Sequence, residues 1–77
     1  MKYVIVVEQA GNNMSAYSPD IPGCVATGNS IADTVNNMKS AIELHKEAGE
    51  LPEPKGMSWH REKSGISHEA FTTYINI

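Results

Sequence analysis

From Ser30 to Gly49 the chain reads SIADTVNNMKSAIELHKEAG, and this stretch decides the fold. Ser30 has the chemistry of a helix N-cap, with a hydroxyl that can accept from the first turn. Asp33, three residues on, can return a bond to the Ser30 amide, a shorter relative of the Glu-containing capping box. Ile31, Val35, Met38, Ile42 and His45 recur at the spacing of one helical stripe, with Ala41 beside it. Gly49 suits a helix end, and Pro52 and Pro54 forbid its resumption. The spacing predicts a helix from about Ile31 to Ala48.

Upstream the period changes from helical to alternating. Met1 to Gln9 reads as a strand, with Tyr3, Ile5 and Val7 on one face and Val4, Val6 and Glu8 on the other. So apolar a run predicts that both faces are at least partly covered. Gly11-Asn12-Asn13 suits a hairpin turn, and Met14 to Ser18 then pairs back antiparallel. Ser18 to Gly23 holds two prolines, an aspartate and a glycine, which forbid ladder pairing and mark a shaped loop. Cys24 to Thr27 resumes as a third strand, stopped by Gly28. Downstream of the helix, Leu51 to Gly56 is an extended connector, and Met57 to Ser67 is polar with no readable period. Glu69 to Ile77 gives a last strand, in which Phe71, Thr73, Ile75 and Ile77 alternate with Thr72, Tyr74 and Asn76. The expected fold is α+β: a three-stranded antiparallel sheet, one helix, then a final strand, in the order β-β-β-α-β.

One helix covers one face of a sheet. The opposite face would carry about half of the apolar strand residues with no second helix to hide them, so either it is exposed or another chain covers it. Short sheets also leave edge strands open to pairing between chains. Self-association into a dimer or tetramer, or docking to a partner, follows. The alternative is that the Met57 to Ser67 segment folds back over that face.

Composition narrows the partner. With 77 residues, the chain suffices for one small core. Nine acidic against six basic residues give a net charge of −3, which argues against nucleic acid and suits a basic protein or simple solubility. A single cysteine excludes an intramolecular disulfide. No stretch reads as a signal peptide or membrane span, which makes the cytoplasm the expected compartment.

Against this background, Tyr17-Ser18-Pro19-Asp20-Ile21-Pro22-Gly23-Cys24 resembles the hairpin signature of HicB-like antitoxins, in which a P-D-hydrophobic-P-G-C loop follows the second strand. Thr27-Gly28-Asn29-Ser30 is similar to that family's approach to its helix, and Leu51-Pro52-Glu53-Pro54 to its exit. The likeness covers residues 1 to about 56, with a compatible last strand. It implies a partial ribonuclease-H-like fold without nuclease activity, as one domain over residues 1–77. It also implies binding to a small basic mRNA-cleaving toxin of the HicA type, whose active site the antitoxin blocks. Many family members add a C-terminal DNA-binding module; this chain stops at the fourth strand, so no direct DNA binding is expected of it. The segment around Trp59 departs from the family's usual short connector.

The residues expected to meet a partner are Tyr17, Asp20 and Pro22 of the hairpin stretch and the triplet Trp59, His60 and Arg61. Trp and Arg are enriched at binding hot spots, although Trp59 serves equally as a core plug. The loop residues also have structural uses: proline fixes φ, Gly23 accepts positive φ, and Asp20 can bond nearby backbone amides. Cys24 reads as a buried, inert thiol. His45, His60 and His68 lack the spacing of a zinc motif, so no metal or other cofactor is expected. A metal-dependent nuclease would need Glu8, Asp20 and Asp33 to converge, yet each has an ordinary role where it stands. Three readings follow: an antitoxin that occludes its toxin, a stand-alone homo-oligomeric binding domain and, with least support, a small nuclease.

Overall fold

A computed structural model describes residues 1–49, 51–67 and 69–77. Its elements are β1 (Lys2–Ala10), β2 (Asn13–Tyr17), β3 (Val25–Gly28), α1 (Ile31–Ala48), α2 (Met57–Lys63) and β4 (Phe71–Asn76). The α+β class and antiparallel pairing are as expected, and α1 spans the predicted residues. Two details are corrected. The last strand is the fourth member of one sheet, ordered β3-β2-β1-β4, and there is a second helix.

Local chemistry accounts for the frame. Ala10 pairs with Asn13, leaving Gly11-Asn12 as a two-residue turn. Gly11 takes φ 62 and Asn12 a negative φ, the type II′ pattern that matches strand twist. The Ser30 Oγ accepts from the Asp33 amide at 3.1 Å. In place of a return bond from the Ser30 amide to Asp33, the Thr34 hydroxyl donates to the Ser30 carbonyl at 2.6 Å. Gly28 fixes how α1 sits, because a Cβ there would lie 2.6 Å from Thr34 Oγ1 and 2.7 Å from its amide nitrogen. That close approach turns Thr34, Met38 and Ile42 inward. The expected stripe is therefore correct at its centre and rotated at its ends, where Ile31 and His45 are exposed. Tyr3, Ile5 and Val7 of β1 pack with Ala16, Ile21, Cys24, Met38, Ile42 and Ile75 as the core.

The other face overturns the expectation that a second polypeptide must cover it. Val4 and Val6 are 0% exposed within the single chain. Their cross-strand partners Tyr74 and Thr72 share that face, since directly paired residues point the same way. There α2 is tied down: the Met57 amide donates to the Tyr74 hydroxyl at 3.1 Å and Arg61 donates to Thr72 Oγ1 at 3.2 Å. The Met57 to Ser67 segment thus folds back over the β1–β4 half of the sheet. On the β2–β3 half, Val25 stays 64% exposed. Among the described residues no helix is long and apolar enough to cross a membrane.

Candidate functional site

The proline loop is rigid for identifiable reasons. Ile21 N–H donates to the Ser18 carbonyl and Cys24 N–H to the Ile21 carbonyl, each at 3.1 Å, while Gly23 supplies φ 80. Ile21 and Cys24 anchor it in the core. Burial pushes the Cys24 thiol up, in keeping with an unreactive side chain.

Between these anchors Asp20 is directed away from solvent. Its Oδ1 lies 2.7 Å from His60 Nε2 and accepts the Lys55 amide at 2.9 Å. The two side chains are 0% and 1% exposed. The other His60 nitrogen, Nδ1, is 2.8 Å from Ser64 Oγ, one helical turn on. Below the pair, the Tyr3 hydroxyl donates to the Pro52 carbonyl at 2.6 Å. Burial, followed by the charges of Asp20 and Glu53, raises the Tyr3 phenol. Above it, Trp59 meets the His60 ring edge-on at 5.0 Å and carries Lys55 Nζ 5.6 Å from its ring centre. Asp20 Oδ2 and Ser18 Oγ are buried without a hydrogen-bond partner.

The order Ser64–His60–Asp20 has the composition of a hydrolytic triad but not its setting. Ser64 is the C-cap of α2, and its amide donates back to the His60 carbonyl. The helix end nearest the hydroxyl therefore presents negative dipole, where an oxyanion hole needs donors. At 1% exposure, His60 also offers no nitrogen to a substrate. The imidazole is satisfied whether neutral, with Nε2–H donating to Asp20 and Nδ1 accepting from Ser64, or protonated and donating at both. The arrangement is a polar rivet that clamps α2 and the Leu51–Gly56 connector to the proline loop.

The structure brings together Asp20 and His60. Instead of facing outward as expected for partner contacts, they face each other, because each satisfies the other's buried polar atoms. Trp59 is 43% exposed, and Pro22 and Arg61 are exposed. Tyr17 is half-buried, its phenol raised by burial and by Glu8. His68 lies outside the described residues. Among those described, no three His, Cys, Asp or Glu side chains gather as metal ligands. Sequence reasoning missed Tyr3, Lys55 and Ser64. No local signal marks Tyr3 or Lys55, since their contacts join distant segments; the spacing of Ser64 from His60 is readable only once α2 is known to be a helix.

A sequence model described as HicB_like antitoxin of bacterial toxin-antitoxin system matches residues 3–76. An uncharacterized 14.9 kDa protein in the rep-hol intergenic region of Haemophilus phage HP1 is 34% identical over 47 residues, which is 61% of this chain and 35% of the phage protein. The match thus spans only about a third of that relative. Among solved structures, a chain of the HicA3 and HicB3 toxin-antitoxin complex has a TM-score of 0.80 at 28% identity, covering 100% of this chain and 98% of that one. The N-terminal domain of Burkholderia pseudomallei antitoxin HicB gives 0.83 at 22% identity, with coverages of 100% and 98%, a likeness of fold. Antitoxin HicB3 gives 0.75 at 26% identity, covering 100% of this chain and 62% of that one.

Proposed function

Since this chain belongs to the HicB-like antitoxins of bacterial toxin-antitoxin systems, we propose that it binds a HicA-type mRNA-cleaving toxin and neutralises it by occlusion, catalysing no reaction of its own. The observation that carries this reading is the likeness, along the whole chain, to a member of a HicA–HicB complex. The net charge of −3 supports it, because an acidic binder is steered toward a small basic toxin. So does the exposed chemistry on the α2 side of the sheet. Trp59 at 43% and Val25 at 64% exposure, with Pro22, Arg61 and the half-buried Tyr17, supply aromatic, apolar and guanidinium anchors of the kind that dominate binding energy.

In this reading Asp20 and His60 act from beneath. By fixing α2 against the proline loop they hold Trp59, Arg61 and Pro22 in place before the toxin arrives, which lowers the ordering cost of association. The domain works in the cytoplasm, where mRNA is available, and needs no direct contact with DNA. The nuclease alternative has no such support: Asp20 is consumed by the rivet and Asp33 lies exposed in the first turn of α1. Light scattering tests the pairing: mixing the chain with the product of an adjacent toxin-like gene gives one species with the summed mass. Two species that elute separately at micromolar concentration would contradict it.

A further inference from the structure

Helix α2 is fastened differently from α1. It lies between two glycines, Gly56 at φ 89 and Gly65 at φ 65. A Cβ at either would meet nothing within 4 Å, so backbone conformation and not crowding favours glycine there. No side chain caps the first turn, and His60 is the one buried residue of the helix. Three polar ties hold the segment down: His60 to Asp20, the Met57 amide to Tyr74, and Arg61 to Thr72. The last two are exposed and compete with water. The rivet is itself incompletely satisfied, because Asp20 Oδ2 and Ser18 Oγ are buried without partners. Beneath lie Val4 and Val6, both 0% exposed. Their face of the sheet continues through Tyr17 to the exposed Val25.

We propose that residues 56–65 form a hinged strap that lifts from the sheet as a unit while the rest of the domain stays folded. Gly56 and Gly65 are the hinges, and the His60–Asp20 contact is the latch. Lifting breaks that contact but not the one beside it: Lys55 lies outside the strap, so its amide stays on Asp20 Oδ1. The carboxylate is therefore not left bare, while Oδ2 and Ser18 Oγ gain access to water. The connector also stays pinned, since Tyr3 still holds the Pro52 carbonyl and Leu51 still packs on the core. Opening thus forfeits the ties of α2 and the cover of Val4 and Val6, and leaves the α1 side of the sheet intact. Elements with so few buried contacts open well below the cost of global unfolding. One consequence rests on the toxin reading, although the motion does not. Trp59 and Arg61 ride on the strap, whereas Tyr17, Pro22 and Val25 stay with the sheet and the loop. Only the closed form presents both sets of anchors together, so the latch sets the fraction of chains ready to bind.

Thiol labelling of the full chain, with no partner present, tests the motion. Cys24, buried in the core with Met38 and Ile42, reports opening of the whole domain. Val6→Cys in a Cys24→Ala background reports opening of the strap. Relative to its rate in the unfolded chain, the strap thiol is expected to react at least about tenfold faster than Cys24. Arg61→Ala cuts the tie to Thr72 and speeds labelling of Val6→Cys about two- to tenfold. Ile42→Val speeds labelling of Cys24 by about the same factor. It leaves that of Val6→Cys unchanged, because the closed and lifted forms share the core. Val4→Cys is expected to behave as Val6→Cys does, and replaces it if that variant misfolds. Strap and core thiols that react at one rate overturn the proposal, as does a Val6→Cys rate that rises with Ile42→Val, since either result means that the face is uncovered only by unfolding of the whole domain.

Discussion

Replacing Asp20 with alanine probes the rivet at its centre. The substitution removes the acceptor for His60 Nε2 at 2.7 Å and for the Lys55 amide at 2.9 Å, and the His60 side chain is only 1% exposed. Each buried donor left without a partner costs about 1–3 kcal/mol. A domain of 77 residues has a total stability of roughly 4–12 kcal/mol, at about 0.05–0.15 kcal/mol per residue. The expected loss of about 3 kcal/mol or more is thus a large share of the whole. Urea unfolding, followed by Trp59 fluorescence and far-ultraviolet circular dichroism, measures it. The double variant Asp20→Ala, His60→Leu puts an apolar side chain where the unpaired imidazole would be. It should lose at least about 1 kcal/mol less than the sum of the single variants. A loss below about 1 kcal/mol for Asp20→Ala, or strictly additive singles, would refute the reasoning.

Other expectations follow from the packing. Gly28→Ala places a Cβ 2.7 Å from the Thr34 backbone nitrogen, a contact no rotamer relieves, so thermal unfolding should show a loss of about 1–3 kcal/mol that Thr34→Ala restores only in part. Tyr3 is held neutral in the fold, its phenol raised above 10.0 by burial and by Asp20 and Glu53. Its contribution is therefore whole below that ordinary value and is lost as pH climbs through the raised one; Tyr3→Phe should make the alkaline fall in stability shallower. Cys24, 2% exposed, should react with a thiol reagent in the native protein only as fast as the domain opens, and at once in urea.

How far the sequence could be read depended on where each signal lies along the chain. α1 was legible because its cap, period and terminator all fall within Ser30 to Gly49, and β1 because alternation needs only neighbours. In the second helix the reverse holds. Met57–Lys63 has one buried side chain, and it is a histidine, so no apolar stripe announces the element that covers Val4 and Val6. Counting uncovered apolar strand positions therefore led to a missing second chain, when the cover was a polar segment already present. Asp20 and His60 were both singled out, but separately, because a contact across 40 positions leaves no local mark.

RNA cleavage by a HicA-type toxin, titrated with this chain, tests the occlusion claim most directly. Cleavage should fall to background as the mixture reaches equimolar. Replacing both Trp59 and Arg61 with alanine should shift the titration to higher concentration while the variant stays folded. Cleavage that continues undiminished in the presence of excess folded chain would contradict the account.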